Sequence, residues 1–72
     1  MTEQKFWKGP VKSIDDFGCP ITDEFIDGRT QRGPWATMSP VSWEAHGFYR
    51  LGVGLGQRYK KQDDERWLKI EG

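Results

Sequence analysis

The apolar positions of this chain fall in short runs that glycine and proline cut apart. Nine glycines and four prolines are spread through 72 residues, a density that favours strands and turns over long helices. Phe6 to Lys12 reads as a first extended segment, which Pro10 confines to an edge or a loop. Ser13 to Pro20 is turn-rich. Ile21 to Ile26 has strand character and runs into Asp27-Gly28, a pair suited to the positive φ angles of a type I′ turn. The pattern therefore predicts a hairpin there, with Arg29 to Arg32 as the return strand. Gly33-Pro34 breaks the chain, and Trp35 to Met38 reads as another short strand.

Ser39-Pro40 is the clearest helix start. Serine suits the N-cap, and proline suits the first helical position, where a backbone N–H has no partner to lose. The predicted helix runs from Pro40 to His46 and stops at Gly47. Two turns do not hold themselves in water, so this helix needs packing. Val41 and Ala45 are four apart and are expected to face the core, with Trp43 beside them. Beyond it, Phe48 to Val53 reads as extended, and Gly54-Leu55-Gly56 interrupts. Gln57 to Gln62 and Arg66 to Ile70 read as two strands around the polar turn Gln62-Asp63-Asp64-Glu65. There is no internal repeat and no linker, so residues 1–72 form one domain. The expected fold is α+β and β-rich, with short antiparallel hairpins and one short helix. Its expected core is Ile14, Phe17, Phe25, Ile26, Trp35, Val41, Leu68 and Ile70.

Composition sharpens this picture. One cysteine, Cys19, rules out an internal disulfide, and one histidine, His46, leaves too few ligands for a Cys/His zinc site. Packing must supply the stability. Four Trp, four Phe and two Tyr provide the means, because each aromatic buries roughly 150–250 Å². Eleven basic residues balance eleven acidic ones, which argues against a protein driven onto nucleic acid or membrane by bulk charge. The charge is nevertheless uneven. Five acids and no base lie between Ser13 and Gly28, whereas four bases and no acid lie between Ala45 and Gln62. No apolar run approaches the ~18 residues of a membrane span. Met1 to Lys8 lacks a secretory apolar region, and a lone thiol fits a reducing compartment. The expectation is a cytoplasmic protein with no membrane contact.

Candidate chemistry is sparse. Gly52-x-Gly54-x-Gly56 lacks the Lys-Ser/Thr of a P-loop and the spacing of a dinucleotide fingerprint. It reads as a bent or bulged strand with close backbone approach, or as a ligand-contacting loop. His46 sits where a cation suits a helix C-terminus. The pairs Asp15-Asp16 and Asp63-Asp64 fall on turns and are expected to face solvent. No catalytic residue, metal ligand or cofactor is expected, and the chain is not read as an enzyme. Arg50 and the run Arg58-Tyr59-Lys60-Lys61 combine bases with an aromatic, the mixture that single-strand binding uses. Four tryptophans and several arginines equally fit the anchors of a protein interface.

The stretch Gly18 to Met38 (GCPITDEFIDGRTQRGPWATM), followed by Gly52 to Tyr59 (GVGLGQRY), resembles a group of small zinc-ribbon-like proteins of phages, prophages and bacteria. The resemblance covers roughly two thirds of the chain and departs from the pattern in the loop before Gly52. That group has a CxxC knuckle before the hairpin and a second CxxC after the segment matching Gly-Pro-Trp-Ala-x-Met. The corresponding positions here are Ile14 and Phe17, then Ser39 and Ser42. None is a cysteine. The resemblance implies a zinc-ribbon-like domain without metal, in which Ile14 and Phe17 pack where the metal would sit and Ser39 and Ser42 cap the helix. It implies no activity. Together these readings make the chain a non-catalytic interaction module, phage- or prophage-related, that binds a protein. The alternative is nucleic-acid binding through Arg50, Arg58, Tyr59, Lys60 and Lys61. The oligomeric state is left open.

Overall fold

The computed structural model describes residues 4–72. Strands β1 (Glu24–Arg29), β2 (Trp35–Met38), β3 (Gly56–Lys61) and β4 (Trp67–Glu71) form one antiparallel sheet in the order β2-β1-β3-β4. The helix α1 (Pro40–His46) follows β2 and packs against β1 and β2. This is a small, mostly β architecture with one short helix.

The helix has the bounds its local signals predict. Ser39 is extended and accepts the Ser42 N–H on its side-chain oxygen, and Pro40 opens the first turn. Gly47 ends it for a steric reason. A Cβ there would stand 2.0 Å from an atom of the Trp43 ring. Its backbone is extended, with φ −71°, so no left-handed turn is involved.

The hairpin lies elsewhere than predicted. Asp27 and Gly28 sit inside β1, and the chain turns between Thr30 and Pro34, where the Thr30 N–H donates to the Pro34 carbonyl at 2.9 Å. Gly28 is paired with Gly56 across β1 and β3. A Cβ on Gly56, whose φ is +146°, would lie 2.6 Å from the Gly28 Cα. Close backbone approach, not turning, explains both glycines. The segment expected to extend from Phe48 to Val53 is irregular instead. Gly52 bridges back to Gly56, closing a tight loop before β3.

Strand pairing puts Phe25, Tyr59 and Trp67 on one side of the sheet. Phe25 is buried there beneath the near-parallel ring of Tyr59 and the edges of Trp7 and Trp67, at centroid distances of 5.1–5.3 Å. Ile26 and Met38, directly paired between β1 and β2, are wholly buried on the other side. Burying side chains of this size stabilises by roughly 1.5–3 kcal/mol each.

The rest of the expected core differs. Leu68 is half-buried, while Ile14, Phe17, Trp35, Val41 and Ile70 are exposed. Trp35 and Ile70 lie on edge strands. The helix turns its capping side inward, so Ser42 is buried where Val41 and Ala45 were expected.

Both sheet edges are covered from the chain's first segments. Outside β4, the Trp7 N–H donates to the Trp67 carbonyl and the Lys69 N–H to the Lys5 carbonyl. Outside β2, the Asp16 N–H donates to the Thr37 carbonyl and the Thr37 N–H to Asp16 Oδ2. Such cover removes the open edges along which sheets aggregate.

Candidate functional site

The loop from Ile14 to Pro20 is organised by one buried carboxylate. Asp15, 5 % exposed, accepts the N–H groups of Phe17 and Cys19 on Oδ1, each at 2.9 Å. Its Oδ2 accepts the Ser39 N–H at 2.8 Å, and the Ser42 hydroxyl also favours its ionised form. Burial pushes the carboxyl's pKa up. The donors at Ser39, Ser42, Cys19 and Phe17 outweigh burial and hold it well below the usual carboxylate range. Asp16 is also held low, chiefly by the Lys12 ammonium and the Thr37 N–H. Neither aspartate of this pair is simply solvated, contrary to the turn-based expectation. With Asp15 turned inward, Ile14 and Phe17 turn outward, at 54 % and 41 % exposure. Polar bonding to Asp15, rather than packing by those two residues, joins this loop to the helix start.

The five residues of the sequence-derived basic surface do not share one face. Successive side chains of a strand point to opposite sides. Arg58 and Lys60 therefore lie on one side of β3, and Tyr59 and Lys61 on the other. The Arg58 guanidinium donates to Glu24 at 2.7 Å, and Tyr59 stacks on Phe25. Lys61 lies 5.9 Å from the Trp67 ring centroid and 3.8 Å from Glu65. Arg50 belongs to the loop between α1 and β3, not to the strand.

A different set of aromatic and arginine side chains does converge. Arg29 pairs with Trp35 across β1 and β2, which puts both on one side of the sheet. The Arg29 guanidinium lies 5.0 Å from the Phe48 ring centroid, within cation–π range. The Phe48 and Tyr49 rings are 6.1 Å apart. Trp35 and Tyr49 are exposed, Tyr49 by 78 %. Tyr49 also has φ +59°, a left-handed conformation that costs a side chain such as tyrosine about 1–2 kcal/mol. Arg29 forms no ion pair among the described residues. No local signal in the sequence could assemble this patch. Its members come from two strands and a loop, and the local pattern places Arg29 in a return strand instead.

Among the described residues, no group of three or more His, Cys, Asp or Glu side chains is placed to hold a metal ion. No described helix is long and apolar enough to cross a membrane. Comparison of the chain with protein-family models, with curated proteins and with solved structures finds no match in any of the three.

Proposed function

We propose that this chain is a non-catalytic interaction module whose protein partner docks on the patch formed by Arg29, Trp35, Phe48 and Tyr49. The convergence of an arginine that forms no ion pair among the described residues with three aromatic rings, two of them exposed, carries this reading. Tryptophan, tyrosine and arginine dominate binding energy at protein interfaces because they combine large apolar area with a polar or charged end. The strained backbone at Tyr49 fits a residue held outward for contact rather than for the stability of its own loop. Arg29 gives the patch a positive centre, so the complementary surface carries a carboxylate.

The zinc-ribbon resemblance belongs to the same proposal. Asp15 ties the segment holding Ile14 and Phe17 to the one holding Ser39 and Ser42, the two places where that family carries its cysteine pairs. This supports a metal-free relative in which hydrogen bonds to one carboxylate link the two segments.

Affinity capture from an extract of the source cells tests the docking patch. The wild-type chain and a variant carrying Arg29→Ala, Trp35→Ala and Tyr49→Ala serve as baits, with and without nuclease. The expected result is a protein retained by the wild type, unaffected by nuclease and lost by the variant. Equal retention by both baits, or retention abolished by nuclease, overturns the reading.

A further inference from the structure

A cleft of about 450 Å³ opens between the Asp15 loop, the β1–β2 turn and the end of α1, lined by Phe17, Thr30, Gln31, Arg32 and His46. Small-ligand sites span roughly 300–1,000 Å³, so it has the capacity for one small molecule. Its walls are tied together. The Gln31 N–H donates to the His46 carbonyl at 2.9 Å, and Gln31 Nε2 to the Ala45 carbonyl at 3.4 Å. The Thr30 hydroxyl donates to the Pro34 carbonyl at 2.7 Å.

Two features of the lining remain uncommitted. The rings of Phe17 and His46 stack nearly parallel, with centroids 4.2 Å apart and planes 10° apart, while much of Phe17 stays open to solvent. Arg32 is exposed and makes no ion pair among the described residues. The carboxylates beside Phe17 do not compete for it. Asp15 accepts the N–H groups of Phe17, Cys19 and Ser39, and Asp16 is taken by Lys12 and the Thr37 N–H.

We propose that this cleft binds a nucleoside monophosphate group, either as a free nucleotide or as the phosphorylated end of a single strand. The base extends the Phe17–His46 stack, and the phosphate pairs with the Arg32 guanidinium. An aromatic platform for the base and a cation for the phosphate are the two contributions that recognition of unpaired nucleotides uses. Gln31 Oε1, which accepts no hydrogen bond among the described residues while Nε2 donates to the Ala45 carbonyl, accepts from an N–H on the base edge. The cleft shares no residue with the Arg29–Trp35 patch, so the two sites stand or fall separately.

Amide NMR titration of the full chain tests it, with AMP, adenosine and inorganic phosphate added in separate experiments. AMP is expected to give saturating shifts at Phe17, Gln31, Arg32 and His46. Adenosine and phosphate each supply one of the two contributions and are expected to bind at least about tenfold more weakly. Phe17→Leu keeps the apolar bulk but removes the ring, and Arg32→Gln removes the charge. Each is expected to weaken AMP binding about tenfold or more with the dispersed spectrum of the folded chain retained. A 5′-phosphorylated oligonucleotide that binds more tightly than AMP identifies a strand end as the ligand, and equal affinity identifies the free nucleotide. The proposal is overturned if AMP gives no saturating shift up to about 10 mM, an affinity too weak to count as recognition. It is also overturned if phosphate alone matches AMP, or if both variants bind as the wild type does.

Discussion

Asp15 is the residue on which two distant parts of the chain depend. Its two oxygens receive N–H groups from its own loop and from Ser39, 24 positions away. Asparagine keeps the shape but has only one acceptor oxygen, so its NH₂ must face a backbone donor. Asp15→Asn should lower stability by about 1–3 kcal/mol, the cost of leaving such a group unsatisfied. Urea unfolding at neutral pH measures it. The pH dependence has a definite sign. Folding lowers the pKa of this carboxyl, so its contribution is complete above the ordinary aspartate value of about 4 and declines as the pH falls below it. The gap between wild type and Asp15→Asn should therefore be widest near neutrality and narrow toward pH 2. Asp16 titrates in both proteins and cancels from the comparison. A gap of constant size across that range would mean that the ionised carboxylate is not the tie. Sequence offered no view of this role. Adjacent aspartates in a turn look the same whether they meet water or N–H groups, and the deciding donor at Ser39 is remote.

Elements were legible in proportion to how locally their causes lie. Every signal for α1 sits between Ser39 and Gly47, and the helix has the predicted bounds. The strand from Trp35 to Met38 also lies where expected, with Gly33-Pro34 before it and the helix cap after it. Asp27-Gly28 carried an equally good local signal for a turn, yet Gly28 answers to Gly56, its partner across the sheet. That distinction gives a prediction. Gly56→Ala would force a Cβ to 2.6 Å from the Gly28 Cα at φ +146°. It should cost on the order of 2–4 kcal/mol through strain and overpacking. Gly54 has φ +79° and open space around a built Cβ, so Gly54→Ala should cost only the left-handed backbone penalty of about 1 kcal/mol. Urea midpoints of the two variants, measured side by side, separate the effects. Equal losses would show that close approach of β1 and β3 contributes nothing beyond the backbone angle. The aromatic–arginine patch illustrates the opposite limit. Arg29 and Phe48 are far apart in sequence and meet only through the tertiary fold.

Across the whole molecule, 72 residues with one cysteine and one histidine depend on side-chain packing and on the Asp15 hydrogen bonds. Phe25 under its aromatic neighbours and the Ile26–Met38 pair supply the deepest burial. The proposed kinship to zinc ribbons matches positions 14, 17, 39 and 42 to that family's four cysteines. Four cysteines at those positions match the ligand set of a structural zinc site, whose binding energy adds directly to folding stability. The wild type should melt at one temperature with zinc, with a chelator, or with neither. The variant combining Ile14→Cys, Phe17→Cys, Ser39→Cys and Ser42→Cys should behave differently under reducing conditions. Zinc should raise its melting temperature by on the order of 10 °C or more, because a few kcal/mol moves a domain of this size that far. A chelator should reverse the gain. Cobalt substitution supplies an independent readout, since tetrahedral thiolate coordination produces visible absorption bands that do not depend on stability. A wild-type melting point that follows zinc would end the metal-free reading. A quadruple variant that ignores both metals would instead place the ligand alignment in error and leave Asp15 as a feature of an unrelated fold. The two results are separable because the first concerns the natural chain and the second only the correspondence of its positions.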